Sequence, residues 1–248
     1  MKLRVLSIAG VLAAILGVGP AVAGSFSGPY LGLTLGNASS GKTVYNAAPQ
    51  GTGGSAGSPL FISPDVGGSF KQTYSGLAWG GQIGANKVLT PAMGKVLLGI
   101  EFSATSGNFS KTSINPTGAL TAGAVATYNT KLRWVATFAP RLGLVFGNQL
   151  LYLKGGLAVG SVKSALANTG GTWGARAFSE TSTHVGNVLG VGWETASWAP
   201  WIVGVSYDHV DLGRAHYGGK VTPTTTWPLD YTIKTHYGEL GLRVSVRY

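Results

Sequence analysis

Beyond its first 23 residues, the chain alternates apolar and polar positions with a period of two. In "KVLLGIEFSAT", residues 95–105, one face carries Val96, Leu98, Ile100, Phe102 and Ala104. The other face carries glycine, serine, threonine and a single acid, Glu101. Alternation of this kind indicates a β-strand whose two faces meet different surroundings. The chain therefore predicts an all-β fold.

Eight segments carry this pattern, and they lie near residues 28–38, 73–87, 95–106, 128–143, 150–163, 184–195, 201–212 and 232–248. On these bounds, connections of about 34, 21, 20 and 19 residues alternate with connections of about 7, 6 and 5. A meander that crosses a membrane alternates in this way, with tight turns on one side and long loops on the other. We expect an eight-stranded antiparallel up-and-down transmembrane β-barrel over residues 24–248.

Composition decides which face of the strands meets lipid. The chain has 40 glycines, and only 10% of its residues are charged. Leucine, valine, isoleucine, tryptophan and phenylalanine form a broad band on one face, and glycines such as Gly84 and Gly190 lie on the other. Such small residues cannot cover a soluble exterior, but they suit the cramped interior of a narrow barrel. The apolar face is therefore expected to point outward, into lipid.

Charged side chains within the strands should then point into the lumen. The stretch "LLYLKGGLAVG", residues 150–160, has a single lysine, Lys154, in an otherwise apolar strand. The assignment of faces predicts a lumen charge network of ten residues: Glu101, Lys131, Arg133, Arg141, Lys154, Glu194, Asp208, Glu239, Arg243 and Arg247. Ions in a low-dielectric space must be paired, which favours structural filling. The alternative is an ion or proton path, or an acid–base pair.

The first 23 residues predict a cleavable secretory signal peptide. A basic start at Lys2 and Arg4 precedes a short apolar run and a small-residue site that ends at Ala23. Export, together with scattered basic residues and a formal charge of +10, favours anionic lipid or lipopolysaccharide over nucleic acid as a partner. The basic residues expected to contact lipopolysaccharide phosphates are Lys42, Lys71, Lys111, Lys163, Arg176, Arg214, Lys220 and Lys234.

Other candidate chemistry is weak. "GNASSGKT", residues 36–43, matches the phosphate-binding loop pattern, but Pro49 and a glycine run follow where a helix would be needed. The four histidines show no metal-ligand spacing, and the chain has no cysteine. Haem capture by histidines at the cell surface is an open alternative. Scattered serine, histidine and aspartate define no catalytic site, so we expect no enzyme, cofactor or metal.

Several stretches resemble a known family. "GLAWGGQIGANKVL", "VLLGIEFSATSG", "WVATFAPRLGLVFGNQLLYLKGGLAVG" and "WIVGVSYDHVDLG" are similar to the small outer-membrane β-barrel proteins of alphaproteobacteria. These proteins are often called porin-family or immunogenic outer-membrane proteins, and they are relatives of OmpA-type barrels. The end, "GLRVSVRY", resembles the terminal strand that the outer-membrane assembly machinery reads, with Tyr248 as its final aromatic residue.

The resemblance implies a barrel that anchors and stiffens the bacterial outer membrane and exposes its loops as a surface antigen. The expected partners are outer-membrane lipid, lipopolysaccharide and the assembly machinery, and the expected state is a monomer. Two alternatives stay open. One is a surface module that binds haem or a host ligand, and the other is a narrow passive porin.

Overall fold

The fold is a closed barrel of eight strands. The computed structural model describes residues 26–47, 69–92, 94–115, 125–169, 176–220 and 228–248, so the predicted signal peptide lies outside the described residues. The strands are β1 (Gly28–Ala47), β2 (Ser69–Leu89), β3 (Lys95–Asn115), β4 (Val125–Phe146), β5 (Gln149–Thr169), β6 (Arg176–Trp198), β7 (Trp201–Lys220) and β8 (Pro228–Arg247). In the described part of the chain, no helix has the length and apolar character needed to cross a bilayer.

Each strand pairs antiparallel with its neighbours in the sequence, and β1 pairs with β8 to close the ring. This confirms the predicted fold. Closure satisfies the backbone of every strand within the sheet, which lipid surroundings require because they offer no hydrogen-bond partners.

The strands are longer than the alternating pattern predicted, at 20 to 23 residues. Most of their additional residues lie at the end away from the short turns, in stretches such as "SKTSIN" of β3 and "SETST" of β6. Both faces are polar there, so the hydrophobic alternation disappears although backbone pairing continues. At the other end, β4 and β5 are joined by a two-residue turn in which Gly147 has a φ of 58°, a conformation that favours glycine.

Large apolar side chains cover the outer wall of the barrel as a lipid-facing belt. Its members include Leu31, Leu33, Leu35, Trp79, Leu98, Ile100, Phe102, Trp134, Phe138, Leu142, Leu153, Leu157, Leu189, Trp193, Leu240 and Leu242, which are all exposed. A soluble protein rarely exposes an apolar surface of this extent. The belt therefore identifies the outer wall as the lipid-contacting surface of a membrane barrel.

The prediction for one stretch of β4 is wrong. Lys131 and Arg133, expected in the lumen, are exposed on the outer wall, whereas Leu132 is buried inside. In the pairing of β4 with β5, the register shifts between Leu132 and Trp134 of β4. In the pairing of β3 with β4, it shifts between Ser106 and Phe109 of β3, opposite the same stretch of β4. A bulge places one extra residue in a strand, so the face assignment inverts beyond it.

Two apolar layers fill the lumen above and below its centre. The upper layer, toward the long connections, includes Phe109, Leu132, Val135, Val162, Leu212 and Tyr237. The lower layer, toward the short turns, includes Phe26, Leu97, Val145, Leu150, Tyr152 and Ile202. Between them lies a band of buried charge.

Candidate functional site

The buried band of charge, here called the central charge network, is built on a row of residues that lie side by side across the sheet. Arg141 of β4 pairs with Lys154 of β5, which pairs with Gly190 of β6. Gly190 pairs with Asp208 of β7, which pairs with Glu239 of β8. The row runs around half of the barrel and points all four charged side chains inward.

Glu101 of β3 is the hub of the network. Lys154 Nζ donates to Glu101 Oε1 at 2.9 Å, and Arg243 donates to both carboxylate oxygens. The Tyr30 hydroxyl donates to Glu101 Oε2 at 2.8 Å. Arg141 Nη1 lies 3.4 Å from the same oxygen. One buried carboxylate thus faces three cations, a density of charge that compensates for its removal from water.

Glu194 of β6 completes the pairing of the two arginines. Arg141 Nη2 donates to Glu194 Oε1 at 2.8 Å, and Arg243 Nε lies 3.3 Å from that oxygen. The Arg141 guanidinium also stacks on the ring of Tyr152, with 3.8 Å between Cζ and the ring centroid. Stacking on an aromatic face stabilises a cation that has lost its hydration.

Lys154 links the hub to a second pair of acids. Its Nζ lies 3.0 Å from Asp208 Oδ2, and Asp208 lies directly opposite Glu239 in the β7–β8 ladder. These side chains, together with Arg243, line a cavity of about 20 Å³. A space of that size holds about one water molecule.

Glycines on the inner face leave the room that these long side chains occupy. A Cβ atom on Gly84 would lie 2.4 Å from the Tyr30 hydroxyl, and one on Gly192 would lie 2.3 Å from the Tyr152 ring. A Cβ atom on Gly190 would lie 2.0 Å from Asp208 Oδ1. The glycine-rich inner face is therefore the counterpart of the large charged and aromatic side chains.

The structure brings together seven of the ten residues predicted for the lumen network: Glu101, Arg141, Lys154, Glu194, Asp208, Glu239 and Arg243. Arg247 is buried farther down β8, near the end that carries the short turns. Lys131 and Arg133 lie outside the lumen because of the bulge in β4. Tyr248 is exposed at the rim, and its backbone N–H donates to the Pro29 carbonyl at 3.1 Å.

Two members of the site, Tyr30 and Tyr152, were missed from the sequence. Tyr30 has the same parity along β1 as the inward-facing Gly32, and Tyr152 has the same parity along β5 as Lys154. Parity alone could have placed both rings in the lumen. The predicted lumen network consisted of charged residues alone.

The other candidate motifs fall on ordinary strand structure. The phosphate-loop match, residues 36–43, lies within β1, so a strand occupies the place where nucleotide binding needs a helix. His184 is buried, and its Nε2 lies 2.9 Å from the Tyr217 hydroxyl. The rings of His209 and His236 lie 6.2 Å apart. Among the described residues, no three metal-ligating side chains cluster.

The basic residues expected to meet lipopolysaccharide differ in their surroundings. Lys111, Lys163 and Arg214 are exposed, and Lys234 lies 3.1 Å from Asp211. The side chains of the remaining four lie outside the described set: Lys42, Lys71, Arg176 and Lys220.

Comparison with known proteins gives one family. Residues 8–242 match the family model described as the outer membrane protein beta-barrel domain. A search of the curated proteins finds no significant match.

Solved structures are similar at low identity. The attachment invasion locus protein Ail of Yersinia pestis is 10% identical over 87% of this chain and 99% of its own, with a TM-score of 0.34. The outer membrane protease OmpT of Escherichia coli is 8% identical over 92% and 99%, with a TM-score of 0.48. Neisserial surface protein A is 12% identical over 90% and 98%, with a TM-score of 0.40. Identities this low concern the fold alone.

Proposed function

The chain belongs to the family of outer-membrane protein β-barrel domains, and from that premise we propose that it is a structural barrel of the bacterial outer membrane with a sealed lumen and no enzymatic activity. The observation that carries the proposal is the filling of the lumen. Three cations and four acids lie at its centre, between the upper and lower apolar layers.

The apolar layers support sealing because an ion that entered the lumen would have to shed water there. Hydrophobic constrictions block conduction by dewetting. The central charge network adds a second barrier, since Arg141, Lys154 and Arg243 are bonded to Glu101 and Glu194, and these paired groups are not free to coordinate a passing ion. A passive porin needs a continuous aqueous path, so the lumen filling favours the structural role over that alternative.

The test is single-channel recording from the refolded chain in a planar bilayer, with folding checked by heat-modifiable gel migration. The sealed barrel should give no discrete current steps. The double variant Leu132→Ser with Leu150→Ser alters one side chain in each apolar layer and leaves the central charge network in place, so it should admit current if the apolar layers are the main barrier and stay closed if the network seals the lumen by itself. The matched control, Leu142→Ser with Leu151→Ser, alters two lipid-facing positions and should stay closed. Salt-dependent steps from the folded wild type would rule out the sealed-barrel proposal.

A role in envelope integrity is tested in cells. Deletion of the gene should increase the sensitivity of the bacterium to detergent and to large antibiotics, and the wild-type chain should restore the barrier. A variant with residues 50–66 removed from the first long connection should restore it equally well if the barrel is the working part. If that variant loses haem or host-cell binding that the wild type has, the chain is a surface binding module.

The remaining partners follow from this placement. We propose that Tyr248 serves as the terminal aromatic residue for the assembly machinery, that the barrel is a monomer, and that it contacts lipopolysaccharide through outward basic residues. On the resemblance of its strand sequences, we place it with the alphaproteobacterial porin-family barrels, exported by a cleaved signal peptide over residues 1–23.

A further inference from the structure

The outer wall of β4 and β5 carries an outer-face basic patch, which consists of Lys131, Arg133 and Lys163. Lys131 lies directly opposite Lys163 in the β4–β5 ladder, and both side chains are exposed. Residues in such positions have Cβ atoms about 5 Å apart, and like charges there are destabilising. The bulge in β4 turns Arg133 outward beside them, so that three cations share one stretch of the wall.

A second pair of opposed cations on the barrel has its own counterion. Arg214 lies directly opposite Lys234 in the β7–β8 ladder, and Lys234 Nζ lies 3.1 Å from Asp211 Oδ2. The outer-face basic patch lacks such a partner among the described residues. Lys131 is flanked on its other side by Ser110, and Lys163 by Thr181. The described carboxylates that form ion pairs, Glu101, Glu194, Asp208 and Asp211, contact other cations.

The patch lies at the upper edge of the lipid-facing belt. Trp134, which follows Arg133, is 43% exposed, and Leu157 of β5 below it belongs to the belt. Tryptophan on the wall of a membrane barrel marks the boundary between hydrocarbon and headgroups. The short turns lie at the opposite end, so this boundary belongs to the outer leaflet.

We propose that the outer-face basic patch binds the phosphate group of a phosphorylated outer-leaflet lipid of the lipid A type. Arg133 offers a fork of N–H donors for phosphate oxygens, and the two lysines supply the balancing charge. The side chains project from the wall at headgroup depth, which favours a lipid headgroup over a soluble anion. The inference rests on the proposed membrane barrel and names the site at which that barrel would hold its lipid.

The test compares lipid A binding by the refolded barrel and by the double variant Lys131→Gln with Lys163→Gln. Native mass spectrometry measures the bound fraction with lipid A, with dephosphorylated lipid A, and with lipid A in the presence of excess inorganic phosphate. The variant should lose affinity by roughly fivefold for each lysine, because that is the contribution of one basic residue near an anionic lipid surface. Wild type and variant should bind dephosphorylated lipid A with equal affinity. Excess inorganic phosphate should not displace lipid A from the wild type.

The control, Lys87→Gln with Lys95→Gln, removes two exposed lysines from the end that carries the short turns, and it should bind like the wild type. The difference in stability between variant and wild type is an independent readout, and its sign should reverse when lipid A is added. Without phosphorylated lipid, the Lys131 and Lys163 variant should be as stable as the wild type or more stable, because a repulsion is removed. With lipid A it should be the less stable of the two.

Equal lipid A binding by wild type and patch variant would overturn the inference, as would displacement by inorganic phosphate. Neither result would affect the sealed-barrel proposal, which is decided by conductance.

Discussion

Lys154 Nζ donates to Glu101 Oε1 at 2.9 Å across the lumen, which joins β5 to β3 although β4 separates them in the sheet. Lys154 is only 3% exposed. A lone lysine in a strand of leucine, glycine and valine is therefore an internal cross-link of the barrel. The same carboxylate also contacts Arg141, Arg243 and the Tyr30 hydroxyl, so Glu101 of β3 is bonded to side chains of four other strands, β1, β4, β5 and β8.

Replacement of Glu101 by Gln should be the most damaging single change in the network. It leaves three buried cations short of one negative charge, and removal of one partner from a buried ion pair destabilises a protein by about 3–5 kcal/mol. Urea unfolding of the barrel in lipid vesicles measures the change in the free energy of unfolding.

Asp208→Asn is the matched comparison for Glu101→Gln. In the described part of the chain, Asp208 forms an ion pair with one cation, Lys154, and its side chain is 19% exposed. Its loss should lower the free energy of unfolding by about 1 kcal/mol, as for a partly solvated pair. Equal effects of the two variants would contradict the role of Glu101 as the hub.

Adjacent glycines of β5 should respond in opposite ways to the same substitution. A Cβ atom on Gly156 would lie 2.0 Å from the Phe138 carbonyl oxygen and 2.7 Å from Ala139 Cα, both in the backbone of β4. Gly156→Ala should therefore push β4 and β5 apart, at a loss of about 1–3 kcal/mol in the free energy of unfolding.

Gly155→Ala is the control for the steric clash at Gly156, because it adds the same methyl group one residue away. Its nearest atom would be Leu189 Cδ1 at 3.6 Å, an ordinary contact. The free energy of unfolding should change by less than about 0.5 kcal/mol. If Gly156→Ala has the same free energy of unfolding as Gly155→Ala, the backbones of β4 and β5 are not as close at Gly156 as the structure places them.

The bulge in β4 predicts opposite labelling of two consecutive residues. The chain has no cysteine, so Lys131→Cys and Leu132→Cys each introduce a single thiol. In the folded barrel, a water-soluble maleimide should label residue 131, which is exposed, and spare residue 132, which is 1% exposed. Heat-unfolded protein should label at both positions. The reverse pattern in the folded barrel would place Lys131 in the lumen and remove the bulge.

Sequence periodicity predicts inner and outer faces well wherever a strand is regular. Glu101 and Lys154 were placed in the lumen because each shares its parity with glycines. Their mutual contact could not be predicted, since it depends on how far the strands shift against each other as the barrel closes. Lys131 and Arg133 were misplaced because a bulge inserts one residue without altering the composition of "KLRWVA".

The loss of hydrophobic alternation outside the membrane also explains why the strands are longer than predicted. Residues beyond the lipid-facing belt meet water on the outside, so no apolar requirement marks their faces. Backbone hydrogen bonds hold such ends in the sheet, as in β3 as far as Asn115 and β6 from Arg176. Hydrophobic periodicity can find the part of a strand that crosses lipid, but it cannot find the part that extends beyond it.

Tyr152 should act through its ring and not through its hydroxyl. The Arg141 guanidinium stacks 3.8 Å from the ring centroid, and the hydroxyl is buried with no hydrogen-bond partner among the described residues. Tyr152→Phe keeps the aromatic face and removes an unsatisfied polar group, so the free energy of unfolding should stay unchanged or rise, by up to about 1 kcal/mol. Tyr152→Leu keeps an apolar side chain but loses the stacking, which should lower it by about 2 kcal/mol. Urea unfolding in lipid vesicles separates the two variants. If phenylalanine destabilises the barrel as much as leucine does, then the hydroxyl, and not the ring, supports Arg141.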